Sequence, residues 1–207
     1  MRIDEVIAND IPKKGLTHVI DDVAAVVKNP KFYKLQQIGK LPSGHIVWTS
    51  SDPEGVGNYL MKTDPKAHLY FTTSPNNPKQ PQMIVSTFNK AGWKGEWINY
   101  LTKTKVATHD AVSLYVFLLG LGKTLIAWTQ SPGALAVWRK LAKQKGVNIH
   151  GWDQLKGEAV NIDPLLRDEE ETHEPEGIDP HNNIEDWEYR QTHGVSIKKL
   201  LLIASKK

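Results

Sequence analysis

Residues 124–152 read TLIAWTQSPGALAVWRKLAKQKGVNIHGW. The stretch KTLIAWT is a short apolar run of strand length. Ser131, Pro132 and Gly133 then turn the corner, and Ala134, Val137, Trp138 and Leu141 recur at i, i+3, i+4 and i+7, one face of an amphipathic helix. Ser is a favoured N-cap, and Pro costs nothing at the first helical position because that N–H has no intrahelical partner anyway. The helix runs out at KQKG, and VNIHGW resumes as a strand. A strand–helix–strand unit of this kind is ordinary α/β architecture. It is also a corner where unpaired backbone N–H groups can gather round an anion.

Upstream, GEWINYLTKTKV (95–106) reads as a long strand, and HDAVSLYVFLLGLG as a helix with Asp110 near its start and glycine at its end. LGLGK (119–123) looks like a phosphate loop, but it follows a helix, where glycine serves as a stop. Earlier still, KFYKLQQIG and HIVWTSS form a hairpin across KLPSG, and NYLMK, HLYFTTS and MIVSTFN (83–89) are further strands. SPNNPKQPQ (74–82), dense in Pro and Asn, reads as a loop. LTHVIDDVAAVVK (16–28) carries Leu16, Val19, Ile20, Val23 and Val27 on one helical face, and Asn29-Pro30 ends it. SIKKLLLIAS (196–205) returns to strand character. The order of helix, strands, then strand–helix–strand–helix–strand predicts an α/β (α+β) single domain. Its sheet is central, mixed and mostly antiparallel, flanked by helices.

The chain has 207 residues, 40% hydrophobic and 24% charged, enough for one well-filled core. There is no Cys, which excludes disulfides, thiolate zinc sites and a cysteine nucleophile. No apolar run reaches the roughly 18–20 residues of a membrane span, and MRIDEVIANDIPKKG has no apolar signal region, so a cytoplasmic protein without membrane contact is expected. Charge is segregated. Residues 163–190 hold 11 acidic against 2 basic side chains, whereas residues 1–162 hold 20 Lys and Arg against 12 Asp and Glu. The expected organisation is therefore a core over 1–162, an acidic arm or insertion over 163–195, and a terminal strand over 196–207 that returns to the core. HEPEGIDPH within the arm has no regular element to hold its His, Asp and Glu side chains, so no metal site is expected. The basic body is also the composition of a nucleic-acid-associated protein, a reading ranked below the two that follow.

The element order over residues 83–152 resembles the GCN5-related N-acetyltransferase (GNAT) fold. QSPGALAVWRKLAKQKGVNIHGW is similar to the last helix and strand of small acetyltransferase-like proteins encoded by tailed bacteriophages. The resemblance implies that a central strand splays from its neighbour and that acetyl-CoA lies in the gap. Carried onto this sequence, it implies that Tyr100, Leu101, Thr102 and Lys103 face the pantetheine arm. The turn with Thr108, His109, Asp110 and Ala111 would take the pyrophosphate on helix-start amides, with Tyr115 one turn further in. It implies an amine acceptor, and a host-cell cytoplasmic or virion-associated setting.

For chemistry, Glu96 is the carboxylate of the splayed strand and the candidate general base; Ile98 beside it either raises its pKa by partial desolvation or marks a plain packing face. The family's usual tyrosine acid on the last helix is replaced here by Trp138, whose indole cannot deliver a proton, so Ser131 is the nearest hydroxyl. The phosphate turn also departs from the family pattern: Val106 stands for Arg or Gln, and His109 for Gly. These departures give the alternative: a catalytically degenerate GNAT-like scaffold that binds a phage or host protein and does no chemistry.

Overall fold

Alternating apolar residues build a meander first. In the computed structural model, which describes residues 34–50, 67–104, 107, 111–127, 132–162, 166 and 200–207, β1 (Leu35–Lys40) and β2 (Ile46–Ser50) form the expected antiparallel hairpin. β3 (Ala67–Ser74), β4 (Asn77–Asn89) and β5 (Glu96–Lys103) continue it, each antiparallel to the last. The expected helix 16–28, the strand NYLMK, and most of the acidic arm with HEPEGIDPH lie outside the described residues.

SPNNPKQPQ is not a loop, which corrects the sequence reading. The chain reverses within Pro75-Asn76, Ser74 pairs with Asn77, and β4 begins there. Asn77–Gln80 are exposed, the β3–β4 register shifts twice around Thr73, and β4 meets β5 in register only from Met83 onward. Proline is tolerated at such a strand end because the ladder does not need its missing N–H.

The second half follows the strand–helix alternation: α1 (Ala111–Gly120), β6 (Leu125–Ala127), α2 (Pro132–Ala142) and β7 (Val147–Asp153), then β8 (Glu158–Val160) and β9 (Leu200–Lys206). The nine strands among the described residues join one sheet in the order β1-β2-β3-β4-β5-β6-β9-β7-β8. The β5–β6 pair is parallel and the other described pairs are antiparallel. The architecture is thus a sheet-dominated α+β fold, and β9 slots between β6 and β7. Among the described residues no helix is long and apolar enough to cross a membrane.

Both helices cover the same sheet face. α1 is buried along Ala111, Val112, Leu114, Tyr115, Leu118 and Leu119, so it is apolar almost all round, as a helix inside a core must be. α2 buries the four residues its period marks out, Ala134, Val137, Trp138 and Leu141. β9 divides by strand alternation: Leu200, Leu202 and Ala204 join the helix-side core, while Leu201 and Ile203 pack with Trp97 and Ile126 on the opposite face. There, Trp93, edge-on to both Trp97 and Trp152, extends the apolar layer.

Candidate functional site

The short parallel pair β5–β6 is termed the fork. Its ladder holds at Glu96↔Leu125 and Trp97↔Ile126, backed by a 2.8 Å bond from the Glu96 N–H to the Thr124 carbonyl. Gly95 permits the close approach, since a Cβ there would stand 2.8 Å from Ile126 Cδ1 and 3.1 Å from the Thr124 carbonyl oxygen. Among the described residues β5 pairs with β6 at Glu96 and Trp97, and with β4 as far as Lys103. On the side away from β4, no described strand pairs with the β5 edge from Ile98 to Lys103. An extended molecule needs such an edge to bond in the manner of a strand.

A narrow groove opens at the same end of the sheet, lined by Leu101 and Lys103 from β5, Ala111 and Val112 from the first turn of α1, and Ala136, Val137 and Lys140 from α2. Its volume is about 30 Å³. Its walls are almost wholly apolar, the stems of Lys103 and Lys140 included. The lining suits an apolar group, with the two lysine side chains at hand to meet an anion.

Register explains which β5 side chains reach the groove. Ser86 pairs with Tyr100 and Thr87 with Ile98, so Asn99 is an extra residue, a β-bulge. The bulge resets alternation: Ile98 and Leu101, three apart, both join the helix-side core. The sequence reading, which ran unbroken alternation from Glu96 through Ile98 to Tyr100, is corrected in its register there. Leu101 and Lys103 line the groove. Thr102, 9% exposed, follows in alternation on the other face.

Glu96 sits at the closed end of the fork and is 5% exposed, not the solvent-facing charge that a lone strand carboxylate suggests. Its Oε1 accepts hydrogen bonds from Tyr70 Oη at 2.9 Å and Lys123 Nζ at 2.6 Å, and its Oε2 accepts one from Thr87 Oγ1 at 2.7 Å. Burial alone would raise its pKa, but the bonds from Lys123, Thr87 and Tyr70 and the lysine charge outweigh it and hold the carboxyl below the ordinary range. The reading in which desolvation by Ile98 raises it is thereby corrected. Burial and the adjoining carboxylate push the Tyr70 hydroxyl well above its ordinary value, so it stays a neutral donor.

Tyr115 does not line the groove. It is 2% exposed, its ring centroid is 6.5 Å from that of Trp138, and burial raises its pKa, so its place is in the core rather than on a cofactor. Trp138, also 2% exposed, has the packing role its helical period implies. Ala111 does line the groove. Tyr100 lies on β5 next to the bulge. Ser131, Thr108, His109 and Asp110 lie outside the described residues. Sequence reasoning missed Ala136, Val137 and Lys140, which α2 adds to the groove. It also missed Tyr70, Thr87 and Lys123 round Glu96.

No family model matches the chain, and no curated protein matches it. Among solved structures, a tandem GNAT protein from the clavulanic acid biosynthesis pathway, without AcCoA, is similar at 12% identity and a TM-score of 0.33. The match covers 78% of this chain and 49% of that one, so the chain spans about half the length of that protein.

Proposed function

We propose that this chain is a GNAT-like protein that binds acetyl-CoA in the β5–β6 fork and acts as an N-acyltransferase on an amine. The observation that carries the reading is the apolar groove at the Lys103 end of β5, past its described pairing with β6, with Lys103 and Lys140 beside it. The β5 edge from Ile98 to Lys103 offers backbone groups to the amides of the pantetheine arm. Leu101, Val112, Ala136 and Val137 shield its methylenes, while Lys103, Lys140 and the α1 start attract the phosphates. The bound cofactor would supply a thioester open to attack by an amine. The chain's own part is to orient that arm and to exclude water along the apolar wall.

The resting arrangement of Glu96 favours a second reading. A base must reach the acceptor amine, and both Glu96 oxygens already accept hydrogen bonds within the fold. A degenerate GNAT-like scaffold, one that keeps the fork and uses it or its surface to engage a phage or host protein, needs no free base. The two readings separate in one experiment. Thermal unfolding is followed with acetyl-CoA, then acyl transfer to a panel of amines is followed by thiol release. Saturation at about 100 times Kd stabilises the fold by about 2.7 kcal/mol. A shift with turnover supports the transferase, and a shift without turnover supports the scaffold. No shift at millimolar acetyl-CoA removes the cofactor from both.

A further inference from the structure

The closed end of the fork is built from four separate parts of the chain, and their chemistry converges on one carboxylate. Tyr70 comes from β3, Thr87 from β4, and Lys123 from the link between α1 and β6. Lys123 is aimed by the way α1 ends. Gly122 takes a positive φ of 80°, its N–H donates to the Leu119 carbonyl, and the Lys123 N–H donates to the Leu118 carbonyl, the paired bonds of a Schellman motif. The residue just past that stop is thereby fixed in direction, and its ammonium lies 2.6 Å from Glu96 Oε1 and 6.0 Å from the Tyr70 ring centroid. Gly95 and the bond from the Glu96 N–H to the Thr124 carbonyl hold the strands together at the same level.

The same helix touches both ends of the fork. Its C-terminal stop is tied to Glu96 through Lys123, and its first turn, Ala111 and Val112, forms a wall of the groove. A helix of ten residues is about 15 Å long and stiff, so a change at one end is felt as tilt at the other. We propose that the Glu96–Lys123 pair, braced by Tyr70 and Thr87, is a clamp that holds β5 against β6 and keeps α1 at the tilt that shapes the groove for its anionic, thiol-bearing ligand. Glu96 and Lys123 are then positioning residues that act through the fork and α1 rather than by touching the ligand. The ligand named here rests on the acetyl-CoA reading above.

The test uses Glu96→Gln, Lys123→Met and Lys123→Arg in the full chain, with Val47→Ala as a control for lost stability, since Val47 is fully buried on β2, away from the fork. Acetyl-CoA affinity is measured by calorimetry on the folded proteins, and amide exchange is measured in the absence of ligand. The clamp requires that Glu96→Gln and Lys123→Met weaken acetyl-CoA by about tenfold or more. It also requires that Lys123→Arg restores most of that loss and that the control binds as the parent does. It further requires faster exchange at Leu125, Ile126 and the last turn of α1 in the first two variants than in the control. Parent-like affinity in folded Glu96→Gln and Lys123→Met overturns the proposal. If the parent itself does not bind acetyl-CoA, the cofactor reading fails and exchange alone decides: protection at Leu125 and Ile126 equal to that of the control overturns the clamp. Should Glu96→Gln not fold, Lys123→Met decides, because the Lys123 side chain is 37% exposed and its truncation leaves no large cavity.

Discussion

Thr87→Val isolates one hydrogen bond of the clamp with little change of shape. The Thr87 side chain is fully buried, and its hydroxyl donates to Glu96 Oε2 over 2.7 Å, while Tyr70 and Lys123 both serve the other oxygen. Valine fills nearly the same space, so a cavity term is absent and the loss is electrostatic. A hydrogen bond to a charged group is worth about 1.5–3 kcal/mol, and removing the donor leaves a buried acceptor to bear its desolvation cost. The expected loss is therefore about 1.5–3 kcal/mol, which at 2–4 °C per kcal/mol for a chain of this size lowers Tm by roughly 3–12 °C. Urea unfolding at neutral pH measures it, with an unchanged m-value as the check that both folds are the same. A cycle with Glu96→Gln gives the coupling, because in that background the hydroxyl no longer meets a charge. A loss below about 0.5 kcal/mol, the scale of an ordinary surface change, refutes the reasoning. So does an equal loss in the Glu96→Gln background.

Acid should undo the same cluster. Because the folded pKa of Glu96 is depressed, its contribution is complete above the ordinary value of 4.5 and is lost as pH falls through the lower folded value, so Glu96→Gln should flatten the stability-against-pH curve in that acidic range. Trp138→Ala, which empties a 2%-exposed site against Tyr115, should cost about 3–5 kcal/mol by chemical denaturation; a cost near 1 would place the ring outside the core. Gly95→Ala forces a Cβ toward Ile126 and the Thr124 carbonyl, and should destabilise by about 1–3 kcal/mol with loss of protection at Leu125 in amide exchange. Tyr70→Phe removes a second donor from Glu96 and should cost about 1.5–3 kcal/mol, measured as for Thr87→Val.

Elements whose signal is local were legible in the sequence. The four-residue face of α2, the glycine stop of α1 and the strand character of LLLIAS each depend on neighbours within a turn or a strand, and each stands in the structure as read. SPNNPKQPQ misled because turn composition was taken for a long loop, whereas two residues make the turn and the exposed strand end tolerates the prolines. The bulge at Asn99 left no mark in composition, so simple alternation along β5 failed past that point. Glu96 was legible as the carboxylate of β5, but its surroundings were hidden. Its donors stand 26, 9 and 27 positions away in sequence, and only the order of strands brings them together. Lys140 escaped for a similar reason: helical period marks the face that meets the core and is silent about which flank meets a groove.

The place of β9 has a kinetic consequence. Leu125 finds its antiparallel partner at Ala204 and Val147 finds Lys206, so the centre of the sheet is closed by residues that leave the ribosome long after both neighbours. Until residues 200–206 arrive, β6 and β7 each present an open ladder edge to solvent, lined by Ile126, Ala127 and Ile149. Contacts of such separation are slow to form because a long loop must close first. Unpaired apolar edges are also the surfaces on which growing chains stick to one another. Folding of this protein is thus most exposed to aggregation in the interval before its keystone strand arrives, and a short peptide of sequence LLLIASK added in trans should compete for that slot during refolding.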